Sequence, residues 1–173
     1  MTPEDRARTI AYLDLDERRG PVEMLDDEGL RELLTTADRI AVIGASDDSR
    51  RPSHDVFRHM LASGFDAVPV TPKHRSVAGI PAFATLAEAV EATGPFDIVD
   101  VFRRPESCAA HAREAVAVGA RCLWLQLGIV DWEAARIAHE GGLTVVMDRC
   151  LSVEWRRLVR YRVGQSRVAP EGA

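Results

Sequence analysis

The stretch RIAVIGASDDSRRPSHDVF, residues 39–57, decides the fold. Ile40 to Ile43 form an unbroken apolar run, the pattern of a strand covered on both faces. Gly44 ends the run, and Pro52 is suited to the first position of a helix whose apolar face carries Val56, Phe57, Met60 and Leu61 before Gly64 closes it. A strand, a glycine turn and a helix in this order are the repeating unit of a parallel α/β sheet.

Outward from this unit the pattern recurs. Further strand candidates are DAVPV (66–70), DIVDVF (97–102), RCLWLQL (121–127) and LTVVMD (143–148). Between them lie TLAEAVEATG (85–94), with a Thr85/Glu88 capping box, PESCAAHAREAVAVGA (105–120), opened by Pro105 and stopped by Gly119, and DWEAARIAHEGG (131–142), capped by Asp131 and stopped by Gly141. The sequence therefore predicts a doubly wound, mainly parallel five-stranded α/β sheet with helices on both faces, in three layers. Upstream, DDEGLRELLTTAD (26–38) places Leu30, Leu33, Leu34 and Ala37 on one helical face, and EWRRLVRYRV (154–163) reads as a final helix. Residues 1–20 carry no decisive periodicity. The division expected is an N-terminal extension over 1–24, one domain over 25–163 and a flexible tail over 164–173.

Length and composition narrow the function classes. A chain of 173 residues, 46% hydrophobic, can bury one sizeable core. No apolar run reaches the roughly 20 residues of a membrane span, and the charged N-terminus does not resemble a secretory signal, so a cytoplasmic location is expected. The formal net charge of −5 argues against general attraction to nucleic acid. Cys108, Cys122 and Cys150 are odd in number and widely spaced, which points away from a disulfide framework or zinc site and towards reduced cysteines.

In such a sheet, ligands sit beyond the carboxyl ends of the strands. The first strand is followed by Gly44, Ala45, Ser46, Arg50 and Arg51, the second by Thr71, Pro72, Lys73, His74 and Arg75, and the third by Arg103 and Arg104. Arg103 and Arg104 precede a helix beginning at Pro105, where a cation is unfavourable by a few tenths to about 1 kcal/mol unless an anion is bound. Lys73 is the only lysine of the chain. The sequence VTPKHR has no carboxylate to hold a ribose diol and three basic side chains instead, which favours a ligand bearing a phosphate on its adenosine ribose; NADP and coenzyme A both qualify. The turn GASDDSRRPS lacks the later glycines of a dinucleotide fingerprint. It retains the amides of Gly44 to Ser46, the Ser46 hydroxyl, a helix start near Ser53 and Arg51 as groups able to hold a pyrophosphate.

The run VIGAS, RPS, PVTPK, VDVFRR, WLQLG and VVMDRC resembles the small bacterial coenzyme A-binding proteins of the succinyl-CoA synthetase α type, the stand-alone YccU-like form, over about residues 25 to 160. The resemblance implies a Rossmann-type fold with CoA at the strand ends, the first glycine turn on the pyrophosphate and the second strand end near the phosphorylated ribose. Matched by position, it implies that Gly44, Ala45, Ser46, Arg51, Ser53, Val70, Pro72, Lys73, Phe102, Arg103, Gln126 and Gly128 face the ligand. The chain departs from that pattern at Thr71, where the family usually has Asn, near Ser76, where it has Glu, and at SVEW (152–155), where it has KIEH.

No catalytic set accompanies these residues. His54, His59, His74, His111 and His139 follow no metal-binding spacing, so no metal is expected. Cys150 beside Arg149, or Gln126 with the Gly128 amide as an oxyanion feature, are candidate reactive groups, but no nucleophile–base pair is legible and structural roles are favoured. The expectation is a non-catalytic or regulatory binder of CoA or acyl-CoA, with no nucleic-acid or membrane partner; a homo-oligomer or a protein partner is compatible with the sequence. The alternative is a small NADP-dependent oxidoreductase.

Overall fold

The computed structural model describes residues 1–159. Strand β1 (Arg39–Ile43) lies between β2 (Asp66–Val70) and β5 (Ile98–Val101), with β6 (Cys122–Leu125) and β7 (Thr144–Val146) continuing beyond β5. All four pairings are parallel, and Ile43 is level with both Val70 and Val101, which in turn is level with Leu125. The carboxyl ends of β2, β1, β5 and β6 therefore form one edge. The five strands are those the apolar runs predict.

Because side chains alternate along a strand, each face receives every second residue. Ala41, Ile43, Val99, Val101, Leu123 and Leu125 pack under α4 (Leu86–Thr93), α5 (Pro105–Ala117) and α6 (Trp132–Glu140). The interleaved Ile40, Val42, Ile98, Cys122 and Trp124 pack under α2 (Asp27–Thr36), α3 (Pro52–Ala62) and α7 (Leu151–Leu158). Fully burying side chains of the Val, Leu, Ile or Phe class contributes about 1.5–3 kcal/mol each, so both faces hold the three layers together. On the first face Ala112 and Ala115 of α5 and Ala134, Ala135 and Ala138 of α6 are buried, small enough for the two helices to approach closely.

Local chemistry sets most helix ends where the sequence indicates them. Asp131 accepts from the amides of Glu133 and Ala134 to cap α6, and Asp26 accepts from Gly29 to cap α2. The capping box at α4 is altered: Thr85 accepts from the Glu88 amide, but Glu88 reaches past Thr85 to the amide of Ala84. At the end of α6 the left-handed residue is Gly142, one place beyond the expected stop at Gly141.

Four elements differ from the sequence expectation. Residues Pro3–Asp16 form a helix, α1, started by a reciprocal Thr2/Asp5 capping box with Pro3 at the first position. Its apolar periodicity is weak because it buries no residue, while its start signal, Thr-Pro-Glu-Asp, is legible in retrospect. Ser76–Val77 (β3) and Ile80–Pro81 (β4) form a small hairpin turned by Ala78 and Gly79, both at positive φ. Helix α7 begins at Leu151, ahead of the expected Glu154, because Leu151 and Leu158 bury against the second face. The remainder of the expected final helix and the expected tail lie outside the described residues. Among the described residues no helix is long and apolar enough to cross a membrane.

Candidate functional site

From β1 the chain crosses to β2 on one side and then to β5 on the other, so strand order reverses between β1 and β5. This is where an open α/β sheet leaves a crevice at its carboxyl edge. Gly44 follows β1 at φ +81°, and a Cβ placed there would lie 2.4 Å from the carbonyl oxygen of Phe102. A side chain at Gly44 would therefore collide with the neighbouring strand end. The Gly44 amide also donates to the Val70 carbonyl at 2.9 Å. The amides available to an anion are those of Ala45 and Ser46, which have no acceptor among the described residues.

The rest of the turn is held from behind. Ser46 Oγ accepts from the Asp48 amide at 3.1 Å, leaving its hydroxyl proton to donate elsewhere. His54, buried in the first turn of α3, has Nδ1 2.9 Å from the Ser46 carbonyl. A carbonyl only accepts, so Nδ1 carries the proton and the imidazole serves as a brace. Asp47 accepts from the Ala78 amide at 2.9 Å, tying the turn to the β3–β4 hairpin. Ser53 is buried beside His54, and Ala45 is buried behind the turn.

The six cations of this edge divide sharply. Arg50 is committed to Asp48 through its backbone amide, Nε and Nη2, which holds that carboxyl below its usual range. Arg51, Lys73, Arg75 and Arg104 are exposed and make no ion pair or side-chain hydrogen bond among the described residues. Arg103 is half-buried, and its Nε is fully buried without a hydrogen-bond partner. A guanidinium N–H so placed lacks an acceptor that a bound anion would supply. Arg51 and Arg104 occupy the N-cap positions of α3 and α5, both of which begin without a side-chain cap. Thr71, buried at the end of β2, accepts from the Lys73 amide at 3.2 Å and sets the turn that carries exposed Pro72 and Lys73 outward.

Gln126 and Gly128, after β6, are held by groups the sequence analysis did not assign. The Gln126 side-chain nitrogen lies 2.9 and 3.0 Å from the two oxygens of Asp100. Asp100 is completely buried in β5, and burial pushes its carboxyl up to about 8, against the smaller opposing effect of the Gln126 hydrogen bond. A carboxylate inside DIVDVF is itself the signal that could have marked this pair, since a buried strand rarely carries an acid without a partner. The Gly128 amide donates to Asp148 Oδ1 at 2.7 Å, so it is already satisfied and does not act as the oxyanion donor considered from WLQLG. Tyr12 of α1 donates to the Gly128 carbonyl, bringing the N-terminal helix against this loop.

The thiols occupy structural places. Cys108 is buried and pushed up to about 12 by desolvation, and Cys122 is raised further for the same reason. Cys150 is half-buried, with Sγ 3.3 Å from Ser152 Oγ. All three are free cysteines.

Comparison with known proteins identifies the family. Residues 38–156 match the CoA binding domain family, and the chain belongs to it. The protein YneT of Bacillus subtilis strain 168 is 40% identical over 124 residues, covering 72% of this chain and 90% of YneT. Among solved structures, a protein from Thermus thermophilus is 39% identical with a TM-score of 0.72, the match covering 78% of this chain and 99% of that one. A Pyrococcus horikoshii OT3 protein is 33% identical with a TM-score of 0.74, over 80% and 95% of the two chains.

Proposed function

We propose that this member of the CoA binding domain family holds coenzyme A, or an acyl-CoA, across the carboxyl ends of β2, β1, β5 and β6, as a non-catalytic or regulatory binding protein. Lys73, with His74 and Arg75, meets the ribose phosphate. The Ala45 and Ser46 amides, the Ser46 hydroxyl, Arg51 and the start of α3 at Ser53 meet the pyrophosphate, and Arg103 adds its guanidinium from the next strand end. Gly44 and Val70 shape the floor beneath the phosphates, and Pro72 and Phe102 flank it. Gln126 and Gly128 line the continuation of the edge through backbone and side chain already oriented by Asp100 and Asp148.

The observation that carries this reading is the buried, unpartnered Nε of Arg103 beside a set of unpaired cations, in a chain whose net charge is −5. Among the described residues neither Asp47 nor Asp48 forms an ion pair with Arg51, Lys73, Arg75, Arg103 or Arg104: Asp48 is engaged by Arg50, and Asp47 accepts from the Ala78 amide. The binding role is favoured over catalysis because Cys108 and Cys122 are held as thiols, His54 is committed to the Ser46 carbonyl, and Asp100 to Gln126.

Mass spectrometry of the protein as purified, followed by calorimetry with CoA, dephospho-CoA and NADP, tests it. Tighter binding of CoA than of either competitor is expected. Equal affinity for CoA and dephospho-CoA would remove the ribose-phosphate assignment, and tight NADP binding with hydride transfer would replace the proposal by an oxidoreductase.

A further inference from the structure

A cavity of about 720 Å³ opens at the carboxyl end of β7, beneath α1, with Leu13, Leu15, Met24, Leu25, Val146 and Met147 in its walls. Its size lies within the range of small-molecule sites. Helix α1 roofs the cavity without filling it: the helix buries no residue, and Ile10 and Leu13 remain 51% and 46% exposed. Ala11, Tyr12 and Leu15 of α1 are partly buried where they pack against the first core face, and two hydrogen bonds add to that attachment. Tyr12 donates to the Gly128 carbonyl, and the Trp132 indole donates to the Ala11 carbonyl at 3.2 Å. Wall atoms facing this open space forgo dispersion contacts that an apolar occupant would restore. Met24 and Met147 can adapt to occupants of different length.

The cavity lies next to the proposed CoA edge. Asp148, in its wall, binds the Gly128 amide, and Tyr12, also in its wall, binds the Gly128 carbonyl. With the ribose phosphate at β2 and the pyrophosphate at β1, the remaining arm of CoA must travel past β5 and β6. At a strand spacing of ~4.8 Å the cavity begins about three strands, or roughly 14 Å, beyond the pyrophosphate. We propose that the cavity beneath α1 receives the aliphatic acyl chain of a CoA thioester, so that the physiological ligand is an acyl-CoA of medium chain length rather than free CoA. This rests on the CoA reading above. The apolar side chains of the walls would meet the chain, and Asp16, Arg18, Asp148 and Arg149, which also line the cavity, would meet the polar thioester end.

The test is a calorimetric series of CoA, acetyl-, butyryl-, hexanoyl- and octanoyl-CoA, with S-acyl-N-acetylcysteamine thioesters of the same chains as probes lacking the nucleotide. Affinity should rise roughly twofold to fourfold per added methylene until the cavity is filled. Met24→Trp, which fills the cavity, should flatten the series while leaving free CoA affinity unchanged; Leu13→Trp serves the same purpose should Met24→Trp fail to fold. CoA binding with no dependence on chain length overturns the acyl site and leaves the CoA reading standing, as does a series that stays steep in a folded cavity-filling variant. If CoA does not bind but the cysteamine thioesters do, with affinity rising with chain length, the cavity stands and the CoA reading falls. Binding of neither overturns both.

Discussion

The Cα of Gly44 faces the carbonyl oxygen of Phe102 so closely that a Cβ would stand 2.4 Å from it. The contact lies between β1 and β5, at the reversal of strand order, so the residue that opens the phosphate turn is also the one that lets the two central strand ends meet. Gly44→Ala should therefore destabilise the fold by more than about 2 kcal/mol, combining a left-handed backbone with displacement of a neighbouring backbone oxygen. Gly64→Ala is the control: φ is +94°, but nothing lies within 4 Å of the added Cβ, so its cost should be near 1 kcal/mol. Urea unfolding of the two variants separates conformational strain from collision, and equal losses would refute the collision.

Arg103 and Arg51 should differ from Arg50 in their effect on CoA binding. Removing a charge-assisted contact of about 1.5–3 kcal/mol weakens affinity roughly ten- to a hundredfold, which is expected for Arg103→Ala and Arg51→Ala with little change in unfolding midpoint. Arg50→Ala should leave CoA affinity within about twofold, since its guanidinium is spent on Asp48. Calorimetry on the three variants checks the order.

Lys73 permits a chemical test nearly free of background, because it and the α-amino group are the only amines. Saturating CoA should protect Lys73 from amine-directed labelling, dephospho-CoA should protect it less, and the N-terminus serves as the internal control. Lys73→Arg should keep part of the affinity through charge, and Lys73→Glu should shift preference towards dephospho-CoA. Unchanged labelling rates with bound CoA would place the 3′-phosphate elsewhere.

Asp100 predicts a pH dependence opposite to that of ordinary carboxylates. In the folded chain its carboxyl holds a proton up to about 8, against a usual value of 3.8. Between these values the native state binds more protons at this site than the unfolded chain, so its contribution to stability falls as pH rises from about 4 to about 8 and levels off above. Asp100→Asn, which can still accept from Gln126, should flatten that slope and stabilise the protein at pH 8 by an amount on the order of a few kcal/mol. Asp97 acts in the acid range instead: although burial is the largest influence on it and raises it, hydrogen bonds from Arg39, Asp38 and Arg121 outweigh burial and lower its carboxyl, so its contribution is present above the usual value and lost as pH falls below it. Thermal midpoints of wild type and Asp100→Asn, measured from about pH 2 to about pH 9, distinguish the two: the slope above about pH 4 should be lost in the variant and the acid-range loss retained.

The sequence by itself determined the five strands, their alternation with helices and the concentration of cations at three strand ends, because these follow from local patterns: unbroken apolar runs, Pro and Gly at helix ends, and what is written immediately after each strand. It also exposed Lys73 as solitary. Only the tertiary structure decided which of those cations are free. Arg50 and Arg51 are adjacent in sequence, yet one is neutralised by Asp48 and the other is not, and Arg103 is distinguished by a buried Nε that no spacing reveals. The same holds for partners far apart along the chain: Asp148 closes the Gly128 amide, Asp100 holds Gln126, and Tyr12 brings α1 over the end of β7. Weak periodicity concealed α1, because a helix that roofs a cavity instead of burying a face has little need of an apolar stripe. Strand formation responds to apolar runs among neighbours in sequence, whereas the availability of a charge, an amide or a cavity depends on what other segments bring to it.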